Sequence, residues 1–184
     1  METNRRMLLR KLAREGRVRA MYELALICRA GKERRHWLET SARKGYVPAM
    51  IMLALECDDR QQRNRWLREA AEEGEPVAMY YYAMECGDRA AKCRWLRRAA
   101  QRGHTPAMYE LGMTTDDPDE RRQWLSDAAT EGHVPAMHAV ALECDDPRQR
   151  NRWLREAAAN GWQPAVEILE RTSSGGACVA LGAG

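Results

Sequence analysis

The chain has 184 residues, 31% charged and 45% apolar, a globular balance that excludes an intrinsically disordered chain. Its 30 basic and 27 acidic residues leave a net charge of only +3, against the large basic excess of nucleic-acid binders. No run reaches the ~18 consecutive apolar residues of a membrane span, and the start, Met1 to Arg14, carries charges among its leucines where a secretory signal would be apolar. A cytoplasmic location with no membrane partner is therefore expected.

Taken in chain order, residues 1–19 read as half a repeat, a cap in which Leu8-Leu9 stand where later segments carry Trp-Leu. From there three residue types keep one step of 29. Tryptophan recurs at Trp37, Trp66, Trp95, Trp124 and Trp153. Glycine recurs at Gly16, Gly45, Gly74, Gly103, Gly132 and Gly161, and alanine at Ala20, Ala49, Ala78, Ala107, Ala136 and Ala165. The step defines five units, 20–48, 49–77, 78–106, 107–135 and 136–164. Two of them share copied segments: ALECDD at 54–59 and 141–146, and QRNRWLREAA at 62–71 and 149–158. A capping helix over 165–171 follows, where Glu170 and Arg171 break the apolar pattern. The segment 172–184 is rich in glycine and serine, has no helical period and is expected to be flexible.

Punctuation divides each unit into two helices. The first opens at a proline, as in Pro106-Ala107-Met108, with Thr105 placed to cap it. Its apolar residues fall at helical spacing, such as Met50, Leu53 and Cys57. The recurrent methionines (Met21, Met50, Met79, Met108, Met137) are too regular for specificity and read as core. The second helix starts behind an acidic pair, with Asp59, Asp117 and Asp146 as N-caps and Gln62, Glu120 and Gln149 as capping-box partners. It carries Trp-Leu and Ala-Ala, as in Trp66-Leu67 and Ala70-Ala71, and stops at the recurrent glycine, which can take the left-handed turn that closes a helix. One unit cannot bury such a face alone, whereas stacked units can. The fold class expected is all-α, a right-handed α-solenoid of stacked helix–turn–helix repeats.

Motifs for chemistry are sparse. The serines (Ser41, Ser126, Ser173, Ser174) lie in no nucleophile turn, and no glycine-rich phosphate loop precedes a helix. His36, His104, His133 and His138 are scattered and no C-x-x-C occurs, so neither a metal nor another cofactor is expected and the chain is not read as an enzyme. Cys28, Cys57, Cys86 and Cys144 fall in register, with Thr115 in the remaining place. Stacked equivalents should lie ~10 Å apart, beyond the ~7 Å a disulfide allows, and they read as small packing residues. Cys86 and Cys93 could face each other across one unit's two helices, and their pairing stays open.

The basic residues comprise 26 Arg and 4 Lys, suiting a surface laced with bidentate ion pairs such as Arg65 with Glu69 and Arg152 with Glu156. The densest basic cluster, Arg89, Lys92, Arg94, Arg97, Arg98 and Arg102, lacks such partners on its own stretch. It leaves nucleic-acid binding through the second helices as an alternative, with a solvated face the plainer reading.

The spacing of Trp66, Ala70, Ala71, Gly74 and Ala78, repeated by Trp95, Ala99, Ala100, Gly103 and Ala107, resembles the Sel-one-like repeat family, relatives of the tetratricopeptide repeat. The resemblance covers roughly residues 5 to 170. It departs in its short unit, 29 residues against the ~34 of tetratricopeptide repeats, with Asp58-Asp59 standing where the family has a glycine-rich loop. It implies a bacterial protein-interaction scaffold or adaptor, in some cases one that holds a toxin. By analogy with tetratricopeptide arrays the first helices should line the concave side. Tyr22, Tyr80, Tyr81, Tyr109 and His138 would then supply anchors and Glu56, Glu85 and Glu143 a carboxylate rim. The plain alternative is that the tyrosines pack between units. The expected partner is another protein or peptide, with homo-oligomerisation open and a cytoplasmic immunity protein as the second functional reading.

Overall fold

A computed structural model describes residues 2–29 and 31–179. Among them are twelve helices and no strand: α1 (Glu2–Arg14), α2 (Val18–Ile27), α3 (Lys32–Arg43), α4 (Val47–Leu55), α5 (Arg60–Glu72), α6 (Pro76–Glu85), α7 (Arg89–Ala100), α8 (Thr105–Thr114), α9 (Pro118–Thr130), α10 (Val134–Glu143), α11 (Pro147–Ala159) and α12 (Gln163–Val179). The fold is an all-α solenoid of helical hairpins. The chain divides into two compact units, residues 1–95 and 96–184. In the first, α1 packs on α2, α2 on α3, α3 on α4, α4 on α5 and α5 on α6. In the second, α8, α9, α10, α11 and α12 pack each on the next. Within each unit these helices thus meet their sequence neighbours, the contact pattern of a solenoid.

Size complementarity explains the packing. Leu24, Leu38 and Leu67 in the first unit and Leu111, Leu125 and Leu154 in the second are fully buried. They lie among buried alanines such as Ala25, Ala42, Ala70 and Ala71, and Ala128, Ala129 and Ala157, which let neighbouring helices approach closely. Where the Ala-Ala pair becomes Ser41-Ala42, the buried Ser41 hydroxyl donates to the Val18 carbonyl at 2.9 Å, so the polar atom carries its own partner. All five register methionines are buried. The tryptophans are only half-buried, and the leucine after each is the deeper residue.

The odd-numbered helices end as their glycines require. Gly74, Gly103, Gly132 and Gly161 have φ between 80° and 96°. The residue after each glycine donates back five residues, as His104 N does to Ala99 O (3.1 Å) and Trp162 N to Ala157 O (3.0 Å). This is the Schellman closure, and it satisfies carbonyls the helix would leave unpaired.

The starts of the odd-numbered helices follow the sequence in part. Asp59, Asp117 and Asp146 are N-caps, accepting from Gln61 N, from Asp119 N and Glu120 N, and from Arg148 N. The capping-box reading of Gln62, Glu120 and Gln149 needs correction. Gln62 and Gln149 accept instead from the Cys57 and Cys144 thiols at 3.9 Å, and Glu120 accepts from the Thr115 hydroxyl at 2.8 Å. The connection between helices is short enough that the residue two before the cap comes within hydrogen-bond reach of that side chain. Thr105 is not a cap either. It is the first helical residue of α8, and His104 before it caps, its Nδ1 accepting from Ala107 N at 3.2 Å.

The final helix also differs from expectation. It starts at Gln163 and runs through Val179, past the end expected at 171 and into the segment expected to be flexible. Extending an anchored helix costs little per residue, and no proline stops this one. Residues 180–184 of that tail lie outside the described residues.

Candidate protein interface

The anchors expected from the sequence divide between the two units. Tyr22, Tyr80, Tyr81, Glu56 and Glu85 belong to the first, and Tyr109, His138 and Glu143 to the second. The rings pack against residues that lead into the next hairpin. Tyr22 meets Tyr46 with centroids 5.3 Å apart, Tyr109 meets His133 at 4.8 Å, and His138 meets Trp162 at 6.2 Å. Tyr46 and His133 are the N-caps of α4 and α10. These half-buried rings therefore stiffen the joint between hairpins. Tyr80 lies edge-on to Tyr81 at 5.4 Å, and Tyr81 is the more exposed of the two.

The carboxylates are occupied as well. Glu56 pairs with Arg34, Glu85 with Arg60 (2.9 Å) and Arg63 (3.4 Å), and Glu143 with Arg121 (3.9 Å). Arg34, Arg63 and Arg121 share one register position, so a single ion pair recurs from one hairpin to the next. Arg121 also donates to the Thr115 carbonyl, and Arg150, the next in register, donates to the Cys144 carbonyl at 2.8 Å. Several arginines are thus spent on joining helices. The expected Arg65–Glu69 and Arg152–Glu156 pairs do not form among the described residues, whereas Arg35–Glu39 and Arg68–Glu72 do. Arg97, from the dense basic cluster, pairs with Glu120, whose carboxyl is held below the usual range by that hydrogen bond and by Thr115 and Trp124.

Sequence reasoning missed the surface left open. In the first unit Leu26, Leu55 and Met84 are 44%, 54% and 44% exposed, and in the second Met113 and Leu142 are 53% and 59% exposed. All five sit at one register position near the ends of even-numbered helices, one turn beyond Tyr22, Ile51, Tyr80, Tyr109 and His138. A scattered exposed leucine means little, but the same position left apolar and open in each of five hairpins is a patterned surface. The charges beside it are confined. Among α2, α4, α6, α8 and α10 the only lysine or arginine is Arg19, which pairs with Glu23 at 2.9 Å.

No protein-family model matches the chain, and no curated protein matches it in sequence. Solved structures do match. A protective antigen present in uropathogenic Escherichia coli strains, displaying an SLR fold, superposes over 87% of the chain with TM-score 0.81 and 22% identity. A Sel1 repeat protein from Oxalobacter formigenes superposes over 91% with TM-score 0.80 and 24% identity. The fold is that of the Sel1 repeat proteins. The chain spans 42% and 59% of the lengths of those two. An immunity protein from Pseudomonas aeruginosa matches over 80% of the chain and 66% of its own length, with TM-score 0.56 and 21% identity.

Within this Sel1 repeat fold the apolar row had a signal in the sequence, since its leucines and methionines keep the same 29-residue step as the tryptophans. It was passed over because Leu and Met at helical spacing read as core. The cysteines of the register serve the hairpins: Cys28, Cys86 and Cys144 are C-caps, and five cysteines, Cys86 and Cys93 included, are free thiols. Burial pushes the Cys86 thiol up, away from the reactive thiolate. Among the described residues no three His, Cys, Asp or Glu side chains converge as metal ligands would, and no helix is long and apolar enough to cross a membrane.

Proposed function

We propose that the chain is a non-catalytic scaffold that binds a partner protein on the apolar row of its even-numbered helices. The observation that carries this reading is the row itself, Leu26, Leu55 and Met84 in one unit and Met113 and Leu142 in the other, each left exposed while the register methionines are buried. Exposed methionines add adaptability, because an unbranched thioether can re-form its contacts around a partner's side chains. Tyr22, Tyr80, Tyr81, Tyr109 and His138, with Glu56, Glu85 and Glu143, stand one turn or less from the row and are proposed to border it. A narrower reading, a cytoplasmic adaptor or immunity protein that holds one toxin, is supported by the likeness to the Pseudomonas aeruginosa immunity protein.

The test is affinity capture from the native lysate with the wild-type chain and with Leu55→Glu and Leu142→Glu, each checked for unchanged helicity. One stoichiometric protein retained by the wild type and lost from the variants supports the scaffold. Equal retention by all three, or recovery of nucleic acid alone, overturns it. A toxin as the retained protein supports the narrower reading.

A further inference from the structure

Helix α11 carries Arg148, Arg152 and Arg155 at i, i+4 and i+7, one stripe on one face. All three are exposed, and none makes a side-chain hydrogen bond or ion pair among the described residues. The single carboxylate of the helix, Glu156, is also unpaired. Arg68, which stands on α5 where Arg155 stands on α11, is by contrast neutralised by Glu72. Beside the stripe lies an open cleft between α11 and α12, lined by Asn151, Arg155, Ala158, Val166, Leu169, Glu170 and Thr172. Arg155 borders both features, and Glu170 is the one carboxylate among the lining residues. Three exposed arginines flanking a recess with aliphatic side chains have the two halves of a docking surface.

We infer that this face of α11 and α12 takes an acidic amphipathic helix of a partner protein, an apolar side chain entering the cleft and carboxylates lying over Arg152 and Arg155. The stripe is about 10 Å long, seven residues at the helical rise, so carboxylates spaced i, i+4 and i+7 on an opposing helix match it. A strand of nucleic acid fits less well. The cleft offers aliphatic side chains and no aromatic ring on which a base could stack. This surface is separate from the apolar row, and neither requires the other.

The probe is a fluorescein-labelled synthetic helix of about 18 residues, with glutamates at that spacing beside a leucine seam, followed by anisotropy against the full chain. A second peptide carries lysine for each glutamate, and a single-stranded oligonucleotide serves as the third probe. The acidic helix is expected to bind and the lysine helix not to, with affinity falling at least about fivefold between low and high salt. Arg152→Glu with Arg155→Glu should weaken binding about tenfold. Ala159→Glu places a carboxylate four residues after Arg155, as Glu72 stands to Arg68, and should weaken it about threefold. Since a glutamate there suits a helix, that variant decides the matter even where the double variant fails to fold. Glu72→Ala, which frees Arg68, should not weaken binding. Affinity unchanged in Ala159→Glu, equal binding of the lysine helix, or binding of the oligonucleotide alone would each overturn the inference.

Discussion

The same ten residues, QRNRWLREAA, occur in α5 and in α11, and the two copies behave alike in some respects and differently in others. The cap is identical, with Asp59 and Asp146 each accepting at 2.9 Å from the backbone two residues on. The thiol contact is also identical, Cys57 to Gln62 and Cys144 to Gln149, both at 3.9 Å. The charges diverge. Arg63 meets Glu85, while its counterpart Arg150 has Thr172 at the corresponding place and turns to the Cys144 carbonyl. Arg68 meets Glu72, while Arg155 has Ala159 and no partner. Interactions whose side chains both lie within the copied segments, 54–59 with 62–71 and 141–146 with 149–158, travel with them. Those whose second partner lies beyond, Glu72 or Glu85, are set by whatever follows.

That contrast can be tested where it should vanish. Leu67→Ala and Leu154→Ala remove matching, fully buried side chains, and each should cost about 3 kcal/mol in chemical denaturation. A difference well above 1 kcal/mol between them would show that the copies do not share their core environment. Gly74→Ala and Gly161→Ala force a Cβ into φ of 96° and 80°, and each should cost about 1–2 kcal/mol by the same measurement. Asp59→Ala and Asp146→Ala remove equivalent caps and should each lose about 1 kcal/mol. Unequal losses at the caps would mean that capping depends on neighbours outside the copied segment.

A smaller effect should separate the units by pH. Tyr22 packs on Tyr46 in the first unit, but Tyr109 packs on His133 in the second. Burial lowers the His133 pKa from its ordinary 6.5, so below that value the unfolded chain binds more protons than the folded one. The contribution is intact above pH 6.5 and is lost as the pH falls through and below it. Thermal melts between pH 7.5 and 5.5 should show this slope in the wild type and a shallower one in His133→Gln. Parallel slopes would remove His133 as the source.

The repeat, the two-helix punctuation, the aspartate caps, the turn glycines and the methionine core were legible because each rests on interactions within a few residues or on a strict period. Gly74 and Asp59 announce their conformations by identity alone. The ion pairs were not legible. Arg34 and Glu56 lie 22 residues apart, and helix-surface rules compare only residues three or four apart. For the same reason the arginine partners of Glu56, Glu85 and Glu143 could not be read from the sequence. The row from Leu26 to Leu142 was hidden differently, because periodicity reports that a position is apolar in every repeat but not whether it faces inward.

The register of the Arg34, Arg63 and Arg121 pairs bears on how such a chain can change its length. Excising residues 49–77 would carry Glu85 into the place of Glu56, opposite Arg34, with the glycine turn and the tryptophan still in step. Insertion of one hairpin works by the same rule in reverse. A chain whose fasteners repeat with its folding unit can gain or lose that unit by a single recombination event without refitting its joints.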